Sequence, residues 1–168
     1  MLEITFIILF VVGAAYIIYN HNPYVGFQKL HLNQMSEPLT TNIIDTSYNL
    51  LSNTYGVKKP VFKLANLSGA NSKTHNITDG TTVYGSYDAN TKLILIDRQR
   101  MLSDNVNWEE FLTLITHEFG HYVDDVSHNL NLGNTISEIL ENRAEKFAEN
   151  NLKKVSKEVL EVYYNEKV

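Results

Sequence analysis

The chain contains no cysteine among its 168 residues. That absence removes disulfides, thiolate nucleophiles and Cys-ligated structural zinc, so any bound metal must rest on histidine and carboxylate. It does not indicate a redox compartment, because a cysteine-free chain is tolerated on either side of a membrane. Basic residues are also scarce: 14 Lys and Arg stand against 19 Asp and Glu, for a formal net charge of −5. With no basic block, the chain lacks the electrostatic footprint of a nucleic-acid binder. Internal repeats and low-complexity tracts are absent too. What remains, 43% hydrophobic and 20% charged residues, is globular in character, and the length suits one domain with a real core rather than two.

The longest apolar run is Leu2 to Tyr19, whose single charge, Glu3, lies at its very start. At about 1.5 Å rise per residue such a run matches the hydrocarbon thickness of a bilayer, and Tyr16 and Tyr19 stand near its interfacial end. The expectation is an N-terminal transmembrane anchor over residues 1–20, a linker over 21–37 and a folded domain over 38–168. A cleaved signal peptide, with Gly13 and Ala15 as small residues at a cleavage site, is the main competitor; the lack of Lys or Arg before the run and its continuation past Ala15 argue against it. Lys29, in the linker, leans toward a cytoplasmic domain by the positive-inside bias. The sequons Asn66-Leu67-Ser68 and Asn76-Ile77-Thr78 lean the other way but arise easily in an Asn-rich chain.

Ser36-Glu37-Pro38 predicts a helix start, with a capping serine, an acidic first turn and an early proline, and Gly56 predicts its end. Leu39, Ile43, Leu50 and Tyr55 supply the helical period between them. Val57 to Leu67, broken by Pro60, reads as an edge-type strand. Residues 81–87 and 92–97 bracket Asp88-Ala89-Asn90-Thr91 as a β-hairpin. Asn107, with Glu110 at the third helical position, opens a helix that runs to about Val126. Thr135 opens another, through Ile139, Leu140 and Phe147, and a further amphipathic stretch follows through Val155, Val159 and Tyr163.

The helix from Asn107 carries His117-Glu118-Phe119-Gly120-His121. This is H-E-x-x-H: two imidazoles four residues apart share one helical face and can hold Zn²⁺, while the glutamate between them reaches the metal-bound water. The competing reading is a pair of surface histidines on an ordinary amphipathic helix. A catalytic zinc takes three protein ligands and leaves its fourth position to water. No histidine stands six residues after His121, where Ser127 is found, and Asp124 and Asp125 come too early to ligate. Asp124 is instead a candidate to orient a ligand from behind, against the alternative of a solvated helix end. Four glutamates on the next helix compete for the third position. With Leu140 at the centre of the apolar arc, Glu141 lies at about 100°, Glu145 at about 140°, Glu138 at about 160° and Glu149 at about 180°. Glu141 is nearest the buried face, and Glu145 can support a ligating histidine from one turn on.

His117 to His121 followed by Glu141-Asn142-Arg143-Ala144-Glu145-Lys146-Phe147-Ala148 resembles the gluzincin metallopeptidases, the class that includes thermolysin, the membrane CAAX-type zinc peptidases and the ImmA/IrrE-like proteases. That resemblance implies Glu141 as third ligand, with Glu145 in place of the family's aspartate or asparagine. The run His-Glu-Phe-Gly-His-x-Val-Asp-Asp, then Ala144 to Glu149, is also similar to the catalytic domain of anthrax lethal factor and its relatives. In that register Glu145 would be the ligand, although the catalytic tyrosine those proteins carry seven residues earlier is Glu138 here. Both likenesses are confined to residues 113–149.

The expected fold is α+β, a zincin-like domain with a small, mostly antiparallel sheet packed on the H-E-x-x-H helix. The expected function is a membrane-anchored zinc metallopeptidase acting on a protein or peptide substrate, with Glu118 as general base. Resemblance to other zincins implies that the strand Lys92 to Asp97, through Leu93 and Leu95, pairs with an extended substrate. Tyr84, Tyr87, His75, His128 and Tyr163 are candidates to stabilise the oxyanion. One alternative is a membrane-tethered zinc-binding module that does not cleave and acts in protein interaction; another is a helical interaction protein with no metal. Retention of Glu118 argues against the former, since a purely structural site needs no general base.

Overall fold

A computed structural model of the chain describes residues 31–67, 84–128 and 137–165. The architecture is α+β: among the described residues, four α-helices and a three-stranded sheet. Helix α1 spans Glu37–Tyr55, strand β1 Val61–Leu64, β2 Gly85–Asp88 and β3 Leu93–Ile96; the short helix α2 (Arg98–Ser103) precedes α3 (Trp108–His128) and α4 (Ser137–Asn165). The expected membrane span over residues 1–20 lies outside the described residues; among those, no helix is long and apolar enough to cross a membrane.

Local chemistry sets the helix ends where the sequence places them. Ser36 Oγ accepts the Leu39 N–H, and Gly56 closes α1 in the left-handed region at φ 65°. Asn107 and Glu110 form a reciprocal box, each side chain accepting the other's backbone N–H at 3.0 and 2.9 Å, an arrangement that contributes about 1 kcal/mol to a helix start. Helix α2, not anticipated, is capped by Asp97, whose Oδ1 accepts from Arg100 N while Oδ2 accepts from Leu67 N. The last two expected helical stretches form one continuous helix, α4.

The sheet order is β1-β3-β2, with β1 parallel and β2 antiparallel to β3. It is mixed rather than mostly antiparallel. A parallel partner requires a crossover connection, and β2 falls between β1 and β3 in the chain.

Ile94 and Ile96 of β3, Tyr48 and Leu51 of α1, Phe111, Ile115 and Phe119 of α3, and Val155 and Val159 of α4 are completely buried in a single core. The expected linker overlaps that core from residue 31 onward. His31 bridges to Asn107, Leu32 N–H donates to Val106 O, Leu32 and Met35 are buried, and Arg98 Nη2 donates to Met35 O. Apolar burial outweighs the irregular, polar look of this stretch, because two large side chains suffice to dock it.

Candidate metal centre

Helix α3 supplies the two histidines and the glutamate between them. One face of α3 is apolar, through Phe111, Leu112, Ile115 and Phe119, and the four-residue spacing sets His117 and His121 together at the rim of that face. Their rings are edge to face with centroids 4.8 Å apart, and their Nε2 atoms are separated by 3.1 Å.

Helix α4 delivers the third group. Glu141 Oε2 lies 3.2 Å from His117 Nε2, and Oε1 lies 3.5 Å from His121 Nε2. Among the described residues, this is the one group of three or more His, Asp or Glu side chains close enough to share an ion. Glu138, Glu145 and Glu149 are exposed and stand outside it. The expected ligand pair of possibilities is thereby separated in space: Glu141 meets the imidazoles and Glu145 does not.

Close helix packing makes this meeting possible. A Cβ added at Gly120 would lie 3.1 Å from Ala144 Cα and 3.1 Å from Phe147 Cβ. Gly120 and Ala144 therefore let α4 approach α3 backbone to backbone, one turn below Glu141. Asp124 of α3 and Arg143 of α4 add a bidentate pair, Nε to Oδ2 at 2.7 Å and Nη2 to Oδ1 at 2.6 Å. Asp124 is thus not a solvated helix end; it is buried, ties the two helices together, and its charge also raises the pKa of His121.

Glu118 is 5% exposed. Burial pushes its carboxyl up to about 7, against the opposing pull of His121 and His117; Glu141 adds to the rise, and the nearby backbone of Tyr87 favours the charged form. Room for the side chain comes from Gly85, where an added Cβ would fall 3.1 Å from both Cγ and Oε1 of Glu118. Hydrogen bonds with His117 and His121 hold the Glu141 carboxyl well below the usual range. For His121, burial disfavours the charged form, but the hydrogen bond with Glu141 and the charges of Glu118, Glu141 and Asp124 outweigh it and raise the pKa.

The anticipated substrate strand is arranged differently. β3 is the central strand, hydrogen-bonded on both sides, so it has no edge to offer. Gly85 and Tyr87 pair with Ile96 and Ile94 and share their face of the sheet, the one turned to α3. Leu93 and Leu95 alternate with these residues and point to the opposite face, away from Glu118. Because Tyr84 O accepts from Asp97 N, the antiparallel alternation turns the backbone groups of Gly85 and Tyr87 outward from β3. Among the described residues, no strand pairs with that outer edge of β2.

None of the oxyanion candidates among the described residues is placed at the cluster. Tyr84 donates its hydroxyl to Asp104 and Tyr87 to Asp125, Tyr163 is buried in the core, and His75 and the His128 side chain lie outside what is described. Gly85, Gly120 and Arg143 are the participants that sequence reasoning passes over. An isolated glycine inside a strand pattern does signal a close approach, and Gly85 is such a residue; Gly120 sits among helix formers where glycine is costly. The Arg143–Asp124 pair has no local signal.

The fit to a metal rests on the donor set and its spacing. Four ligands about 2.0–2.1 Å from a tetrahedral Zn²⁺ are about 3.3–3.4 Å from each other; here the two imidazole nitrogens stand 3.1 Å apart, and the Glu141 carboxylate meets His117 through Oε2 at 3.2 Å and His121 through Oε1 at 3.5 Å. Two imidazole nitrogens and one carboxylate oxygen match a catalytic zinc set with an open fourth position, and the Glu141 side chain, 55% exposed, leaves the cluster accessible. No family model, curated protein or solved structure matches the chain.

Proposed function

We propose that the protein is a zinc-dependent peptidase of gluzincin type, with His117, His121 and Glu141 as ligands and Glu118 as general base. The observation that carries this reading is the convergence of two imidazoles and the Glu141 carboxylate beside the buried carboxyl of Glu118. When bound, Zn²⁺ would lower the pKa of a water molecule and polarise the scissile carbonyl.

The remaining work falls to residues of this chain. Glu118, raised toward neutrality by burial, takes the proton of the attacking water and passes it to the leaving amine. Gly85 leaves the carboxylate its space. An extended peptide would lie along the outer edge of β2, which takes the role expected of β3, because strand addition needs unpaired backbone groups. The apolar run Leu2 to Tyr19 supports a tether that keeps this domain at a bilayer surface.

The test uses the full chain. Elemental analysis is expected to find one zinc per chain, and Glu118→Gln is expected to abolish peptide cleavage while the zinc stays bound. A chain without stoichiometric zinc, or undiminished cleavage by Glu118→Gln, would overturn the reading. Zinc binding with no cleavage by the wild type would instead favour the non-cleaving binding module.

A further inference from the structure

Tyr87 meets α3 twice. Its ring stands edge-on to Tyr122 with centroids 5.9 Å apart, and its hydroxyl donates to Asp125 Oδ2 at 2.5 Å. Two residues earlier on the same strand, Gly85 lies against Glu118, where an added Cβ would fall 3.1 Å from both Cγ and Oε1. The same Asp125 oxygen accepts from Lys92 Nζ, at the other end of the β2–β3 turn. Asp125 lies two helical turns beyond Glu118 on one rigid helix. The strand segment that lies against the proposed base is therefore fastened to the helix that carries it.

Two details mark the fastening as specific. Lys92 has φ 56°, a left-handed conformation that glycine adopts with less strain, yet the residue present is one whose ammonium reaches Asp125. Asp125 is partly buried, its side chain 13% exposed, and it accepts two donors from the hairpin through one oxygen. A buried carboxylate gains more from such charge-assisted bonds than one on the surface does.

We infer that Asp125, with Tyr87 and Lys92, is a positioning unit that holds the β2 backbone at Gly85 against Glu118 and so keeps the general base in line with the metal-proximal water. The inference rests on the peptidase reading for its catalytic consequence, and on geometry alone for its structural one. It assigns to Asp125 a role that its place in the sequence, at the end of the motif helix, does not reveal.

Two measurements on the full chain test it. In the zinc-loaded protein, Tyr87→Phe and Asp125→Asn are each expected to lower kcat by about 10–100-fold, with KM and zinc content unchanged, because a small misplacement of a reacting group costs that much. The double variant should be no slower than the slower single one, since both changes release one contact. In the zinc-free protein, hydrogen exchange along β2, residues 85–88, is expected to speed up in Asp125→Asn. Unchanged kcat in Tyr87→Phe, multiplying effects in the double variant, or wild-type exchange along β2 in Asp125→Asn would each overturn the inference. Tyr87→Phe keeps the ring packing, so it reports even where Asp125→Asn folds poorly. Should the wild type not cleave peptides, the peptidase reading fails while the exchange measurement still decides the positioning unit.

Discussion

Arg143 holds Asp124 through two parallel hydrogen bonds of 2.7 and 2.6 Å, joining α4 to α3 two residues beyond Glu141 and three beyond His121. The carboxylate is buried and the guanidinium is 44% exposed. Removing the arginine thus leaves a buried charge without its fork of donors, while water can reach the vacated position. Arg143→Ala is expected to cost about 1–3 kcal/mol in chemical denaturation of the zinc-free protein. It should also weaken zinc binding by about 10–100-fold, as the loss of an outer partner typically does. Lysine at 143 should recover only part of both, because it lacks the bidentate geometry. Wild-type zinc affinity in Arg143→Ala would show that Glu141 is placed without this clip.

Gly120 poses a competition between helix propensity and packing. Alanine there would favour α3 by about 1 kcal/mol as a helix. Its Cβ, however, would stand 3.1 Å from Ala144 Cα, a backbone atom that moves only if α4 moves, and such overpacking costs about 1–3 kcal/mol. The clash should win: Gly120→Ala is expected to be less stable than wild type and to bind zinc more weakly, since any retreat of α4 carries Glu141 with it. A calorimetric titration with zinc reads the second effect separately from the first.

Some of this architecture is local and some is not, which is why only part of it was legible beforehand. Helices α1 and α3 announce themselves through Ser36, Gly56 and the Asn107–Glu110 box, because capping chemistry acts within one turn. α2, at six residues, is too short for a period to show. The sequence of α4 reads as two stretches because Asn150, Asn151, Lys153 and Lys154 interrupt the apolar pattern. Yet Asn151 is buried, its amide donating to Phe147 O and its oxygen accepting from Tyr55, so a polar residue was satisfied inside the core and the helix ran on. His117, Glu118 and His121 could be read because their relation is a helical repeat. The parallel β1–β3 pairing, the docking of Leu32 and Met35, and the facing away of Leu93 and Leu95 depend on long-range register, which no local pattern records.

Gly85→Ala separates stability from function. The atoms its Cβ would meet are Cγ and Oε1 of Glu118 at 3.1 Å and Cδ1 of Leu114 at 3.2 Å, all of them in flexible side chains. Thermal stability should change by less than about 1 kcal/mol, since such ends move aside at little cost. Glu118 is the side chain that moves, so peptide turnover should fall by about 100-fold while zinc content stays at wild type. Equal turnover in Gly85→Ala would mean that Glu118 tolerates displacement and is not the base.

Glu141 and Glu145 give the sharpest contrast, because they are one turn apart on the same helix and differ in what they touch. Glu141 bridges the two imidazoles at 3.2 and 3.5 Å, and hydrogen bonds with both hold its carboxyl well below the usual range. Glu145 is exposed and outside the cluster. If Glu141 is a ligand, Glu141→Gln removes a charged oxygen from the metal and should weaken zinc binding by more than the roughly 10–100-fold that loss of an outer partner brings. Glu145→Gln should leave both zinc affinity and turnover within about twofold of wild type, as expected of a surface substitution. Neither change alters side-chain volume or helix propensity appreciably, so a difference in zinc affinity between the two variants reports ligation rather than folding. The reverse ranking would assign the third ligand to Glu145, and with it a different seating of α4 on α3.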